Sequence, residues 1–181
     1  MTDRCFLALL GDVVSVRRPQ VGVSAVGNPR TPTYPVLAED VPCALQPLAD
    51  GLGNTVVEEM EAATHTAYLQ PMDLQAGDLL VEAHWVGALG AEVRQGSTRV
   101  TLAAPQEVGG GTWLEIGSGA GSELVVVLGS AVDGMELASP LARDHVSGER
   151  MRGVDVLRVE GVRDEGGVNH HLKANLRRLV G

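Results

Sequence analysis

Apolar and polar positions along this chain alternate in short bursts separated by glycine and proline, the pattern of strands joined by turns. Val13-Val14-Ser15-Val16-Arg17 has strand composition and follows an apolar lead-in at residues 5–10, which fits a short helix or extended chain. Residues 19–35 carry Gly22, Gly27-Asn28-Pro29, Thr31-Pro32 and Tyr34-Pro35, so a long loop is predicted there. Loops of that length within a compact domain are commonly functional or ordered by a partner. Residues 41–48 form the next predicted strand, and Pro42 and Pro47 point to an edge position. A turn at residues 50–54 leads to an acidic stretch, 56–63, that fits one or two helical turns or an exposed loop. Strands at residues 65–69 and 79–85 flank the turn Ala76-Gly77-Asp78. In the second of these, Leu79, Val81, Ala83 and Trp85 alternate with Leu80, Glu82, His84 and Val86, which predicts a half-buried face of period two.

Residues 87–152 differ in character. Strands are expected at 98–102, 113–116 and 123–128, the last two joined by Gly117-Ser118-Gly119-Ala120-Gly121-Ser122. Met135-Glu136-Leu137 then leads into Ser139-Pro140-Leu141 and Asp144-His145-Val146-Ser147-Gly148-Glu149. The earlier series resumes with strands at residues 156–164 and 171–176.

The pieces Cys43-Ala44-Leu45-Gln46-Pro47, the strand start Thr64-His65, the Gly77-Asp78 turn and the final strand pair stand in an order that resembles the head-closure (stopper or head–tail connector) proteins of tailed bacteriophages. That resemblance covers about residues 10–86 and 153–180. Leu137-Ala138-Ser139-Pro140-Leu141 with His145 and Gly148 resembles small all-β modules of phage structural and bacterial surface proteins. Together they imply an all-β fold: a small antiparallel β-barrel or sandwich, discontinuous in sequence, with residues 1–86 and 153–181 forming a connector-like domain and residues 87–152 an inserted β-module. Insertion at an exposed loop is thermodynamically mild, because closure entropy grows only logarithmically with length.

The head-closure resemblance implies a structural virion protein without catalytic, cofactor-binding or metal-binding residues. Its copies would form a homo-oligomeric ring in the phage neck, between the portal or adaptor protein and the tail proteins, closing the head and docking the tail. DNA would be passing cargo only, no membrane would be involved, and assembly would take place in the host cytoplasm. Under that reading Glu58, Glu59 and Glu61 lie on a channel-facing loop, the alternative for three acids in one polar stretch being a plain solvated face, while Tyr34, Arg177 and Arg178 belong to the subunit interface. The alternatives are another neck or tail-terminator component, or a carbohydrate- or surface-binding β-module protein.

Composition adjusts this picture in three ways. A net charge of -9 over 181 residues argues against a nucleic-acid grip, which needs a basic footprint, yet suits a wall beside mobile DNA. The 23 glycines and 9 prolines against 3% aromatic residues fit many tight turns between short strands. Cys5 and Cys43 are expected as buried free thiols. The apolar stretch 5–16 is broken by Gly11-Asp12 and followed by Arg17-Arg18-Pro19, so a secreted form is not expected. No run approaches the roughly 20 apolar residues of a spanning helix.

Several motifs invite a chemical reading. Gly117-Ser118-Gly119-Ala120-Gly121 resembles a phosphate loop, but such a loop must open a helix, and the β-branched run that follows predicts a hairpin turn. His65, His84, His145, His170 and His171 lack helical zinc-site spacing and are expected at the surface, with His170 and His171 on opposite faces of a strand. Asp144 and His145 with Ser139 and Ser147 have the residue types of a hydrolase triad, but they lie in a Gly-rich turn region without a nucleophile elbow. The basic residues Arg152, Arg158, Arg163, Lys173, Arg177 and Arg178 collect towards the C-terminal end without an aromatic platform, which favours contact with an acidic patch on a neighbouring subunit.

Overall fold

The computed structural model of the chain is all-β. It describes residues 6, 8–21, 32–48, 63–104, 107–131, 134–165 and 170–181. Among the described residues ten strands follow one another: β1 (Asp12–Arg17), β2 (Val36–Pro47), β3 (His65–Leu69), β4 (Leu79–Ala88), β5 (Arg99–Val100), β6 (Trp113–Ile116), β7 (Glu123–Ala131), β8 (Gly134–Leu137), β9 (Arg150–Glu165) and β10 (His171–Arg178).

The chain divides into two compact units. The first comprises Met1–Arg18, Leu37–Val81 and Val156–Leu179; the second comprises Pro19–Val36, Glu82–Asp155 and Val180–Gly181. Changeovers fall inside β4 and β9 and after the first residue of β2, so that Pro19–Val36 groups with the second unit.

In the first unit the hydrogen-bonded strand order is β10-β3-β2-β1-β4-β9, and β9 pairs again with β10, so the order closes into a ring. The antiparallel β9–β10 register runs from His171↔Glu165 to Arg178↔Leu157, with an irregularity at Asn175/Leu176. The other edge of β10 pairs with β3, from Leu172↔Leu69 to Leu176↔His65. Among the described residues, closure leaves no free edge in that ring to recruit another chain's strand. Inside lie Val14, Val16, Cys43, Leu69, Leu80, Leu157, Val159 and Leu176, all buried. Each fully buried side chain of this size contributes about 1.5–3 kcal/mol relative to exposure. Cys43 is buried, and Cys5 lies outside the described residues.

Two expectations about these strands are corrected. β2 is not an edge strand, because it stands between β3 and β1. Its prolines are accommodated at the ends of the β3 ladder, which runs from Cys43↔Leu69 to Pro47↔His65, so Pro42 precedes the ladder and Pro47 closes it. Asp40, at φ 50°, marks an irregular step just before. Nor does β4 alternate: Leu79, Leu80 and Val81 are all buried, and the regular in-and-out pattern is absent because these residues are covered on both faces.

In the second unit the order continues from β9 through β6, β7 and β8 to β5. β6 lies antiparallel to β9, from Trp113↔Val154 to Ile116↔Met151, and to β7, from Trp113↔Val126 to Ile116↔Glu123. Its own core gathers Leu89, Leu114, Ile116, Val127, Leu137, Leu141 and Met151, with Trp85 and Leu102 packed against it. Gly153 is required here: a Cβ at that position would lie 1.9 Å from Trp85 Nε1. Glu115 on β6 is fully buried and forms an ion pair with Arg152 on β9, whose Nε donates to Glu115 Oε2 at 2.6 Å. That pairing offsets the cost of burying the carboxylate.

Candidate functional site: a groove beside a buried histidine

Within the second unit the β6–β7 hairpin turns through Gly117, in the left-handed region at φ 91°, and a 3-10 turn at Gly119–Gly121. The Ser122 hydroxyl donates to the Gly119 carbonyl at 2.8 Å. The glycine-rich stretch is therefore the hairpin turn that its β-branched sequel predicted. The first residue of β7, Glu123, emerges from this turn with both carboxylate oxygens engaged. Its Oε2 accepts the Ala142 N–H at 2.8 Å, and its Oε1 lies 2.6 Å from His145 Nε2.

His145 is only 1% exposed, which corrects the surface position expected for it. A two-way backbone bridge with Val93, both bonds at 2.8 Å, holds it in place. Its other ring nitrogen, Nδ1, lies 3.1 Å from Glu149 Oε2, and that same oxygen accepts the Val146 N–H at 3.1 Å. The turn between them is closed by Gly148 at φ 81°. The imidazole thus stands between two carboxylates, one on each ring nitrogen. Burial is tolerated because both polar edges of the ring have partners.

A groove of about 420 Å³ opens beside this arrangement. Tyr34, Pro35, Ser122, Glu123, Ser139 and Arg143 contribute to its lining. Arg143 Nη1 donates to the Ala120 carbonyl at 2.8 Å, which ties the 139–143 loop to the hairpin turn. The groove combines an aromatic ring, prolines, a guanidinium and hydroxyls, a surface suited to a peptide or polyhydroxyl ligand.

The hydrolase-like constellation is not assembled as a triad. Both His145 ring nitrogens face glutamates, the Asp144 carboxylate accepts the Gln95 N–H at 2.7 Å, and the Ser147 hydroxyl donates to the Gly90 carbonyl at 3.3 Å. Among the described residues, no group of three or more His, Cys, Asp or Glu side chains has the arrangement of a metal site.

The remaining histidines belong to other surroundings. His84 Nε2 lies 2.9 Å from Asp155 Oδ2. His170 and His171 do not point apart, because His170 lies in a bend before β10 begins. Their Nδ1 atoms approach to 2.8 Å, and Phe6 stacks on His171 with centroids 4.9 Å apart.

Of the residues assigned by resemblance, Glu58, Glu59 and Glu61 lie outside the described residues. Tyr34 lines the groove of the second unit, whereas Arg177 and Arg178 belong to β10 in the first. Arg177 Nε pairs with Glu160 Oε1 at 3.0 Å, and the Arg178 backbone N–H donates to Thr64 Oγ1 at 2.8 Å. Lys173 sits over the Tyr68 ring, 5.8 Å from its centroid. Part of the basic C-terminal stretch is thus matched within its own chain.

Glu123 and Glu149 were not singled out by sequence reasoning. The i,i+4 spacing of His145 and Glu149 within a Gly-containing turn was the one local signal, whereas Glu123 stands 22 residues from His145 and is joined to it only by the fold. The sequence matches no protein-family model and no curated protein. Among the described residues, no helix is long and apolar enough to cross a membrane.

Proposed function

We propose that this chain is a structural protein of a tailed-phage neck. Copies of it form a ring between the portal or adaptor and the tail, a ring that helps close the head and docks the tail. The observation that carries this reading is the closed strand order of the first unit. Its members β1–β3 come from one side of residues 82–155, β10 comes from the other, and β4 and β9 lead into and out of that segment. A strand order of this kind supports the sequence-discontinuous connector domain that the head-closure resemblance implies. A ring of identical copies needs a head-to-tail interface that closes by rotation. A chain of net charge -9 would leave DNA free to pass through such a ring instead of gripping it.

The groove of the second unit favours a second reading, a carbohydrate- or surface-binding β-module, because it offers Tyr34 and Arg143 together. Affinity purification of the tagged full chain from phage-infected cells separates the two. Portal and tail proteins recovered in stoichiometric amounts support the neck. Recovery of the chain without them, together with retention on a glycan column, supports the module.

A further inference from the structure

We infer that Glu123, His145 and Glu149 form a proton-dependent clamp, in which a doubly protonated His145 fastens the 138–149 loop to β7 and so holds one wall of the groove. The inference rests on the geometry of the second unit and is independent of the neck assignment. A neutral imidazole carries one N–H and one lone pair, whereas both nitrogens donate only in the imidazolium form. Here each nitrogen faces a carboxylate oxygen, at 2.6 Å on Glu123 and 3.1 Å on Glu149. With both glutamates ionised, only the doubly protonated ring satisfies both contacts. Loss of one ring proton to solvent leaves a lone pair against an acceptor oxygen, in a place where water cannot intervene because the ring is 1% exposed.

The two glutamates carry this change to the backbone. Glu123 holds the Ala142 amide and Glu149 the Val146 amide, so the ring's protonation state bears on two points within the 138–149 loop, which contains Ser139 and Arg143. The charged groups on the surrounding elements are engaged elsewhere or exposed. Asp144 accepts from Gln95 and Arg143 donates to Ala120, while Glu92, Arg94 and Arg150 are exposed.

Ring-selective ¹⁵N NMR of the full chain at neutral pH tests this, alongside hydrogen exchange of the Ala142 and Val146 amides. Two ring N–H groups are expected for His145. Replacing Glu149→Gln should shift Nδ1 more than Nε2, which assigns the signals without a variant at the histidine. As pH rises, the protection factors of Ala142 and Val146 should fall about tenfold relative to that of Gly77, the ratio expected for losing one charge-assisted hydrogen bond. The Gly77 amide is the reference because its partner is the Val159 carbonyl, within the first unit. A ring with a single proton at neutral pH would overturn the inference, as would two ring protons with protection that does not change with pH.

Discussion

Arg18 Nε and Nη2 each reach one carboxylate oxygen of Asp78, both at 2.8 Å, so a guanidinium at the end of β1 is forked onto a carboxylate that is 2% exposed. Asp78 Oδ2 also accepts the Gln75 N–H at 2.9 Å, and Arg18 reaches Asp73 as well. The fork ties the turn before β4 to β1, and its planar geometry is what lysine cannot reproduce. Arg18→Lys should therefore lower the midpoint of thermal unfolding, and Asp78→Asn should lower it further by breaking the fork at its buried end. Calorimetry on the two variants checks the ranking.

Asp73 gives a pH dependence of known sign. The Gln75 side-chain amide, and then Arg18, hold its carboxyl below the usual carboxylate range. A carboxyl that ionises more readily in the folded state adds stability above its unfolded range, and that stability is lost as pH falls through the lowered range. Asp73→Asn should thus be slightly less stable at neutral pH, and the difference should vanish in acid. The effect is small because the side chain is 76% exposed. Melting curves of the two proteins across the acid range measure it.

The contact between Gly153 and Trp85 predicts a severe local effect. Gly153→Ala places a methyl where the indole lies, and overpacking of this kind costs about 1–3 kcal/mol or more. Trp85→Phe combined with Gly153→Ala should recover part of that loss, because the smaller ring vacates the clash. Denaturant titration of the three variants yields the coupling energy.

Glu115 and Arg152 make a further pair. Arg152→Ala leaves a fully buried carboxylate without this partner, and about 3–5 kcal/mol of destabilisation is expected. Replacing both with apolar residues of similar volume, Glu115→Leu with Arg152→Met, should restore much of the stability. Equal losses in the single and double variants would show that the carboxylate depends chiefly on other groups.

The strands were largely legible in the sequence. His65–Leu69 and Trp113–Ile116 were marked at their observed ends by turn residues and β-branched or aromatic content, and the Gly117–Ser122 stretch declared its hairpin. Burial was less legible. A period-two pattern presumes one wet face, and Leu79–Val81 have none. Likewise, a proline signals an edge only when its missing N–H faces solvent, whereas Pro42 and Pro47 sit at the limits of a ladder inside the ring. The histidine clamp was hidden for a different reason: Glu123 and His145 meet only because the β7 start and the 144–149 turn are folded together, and no local periodicity records that distance.

The ring of copies proposed above for the neck of a tailed phage can be looked for in the particle itself. Cryo-electron microscopy of virions carrying this chain with a small fused density marker tests it most directly. The proposed ring predicts marker density repeated around the axis at the head–tail junction, with each of the two units fitting the density beneath it. Marker density on the capsid surface or tail fibres, or its absence from purified virions, would contradict it.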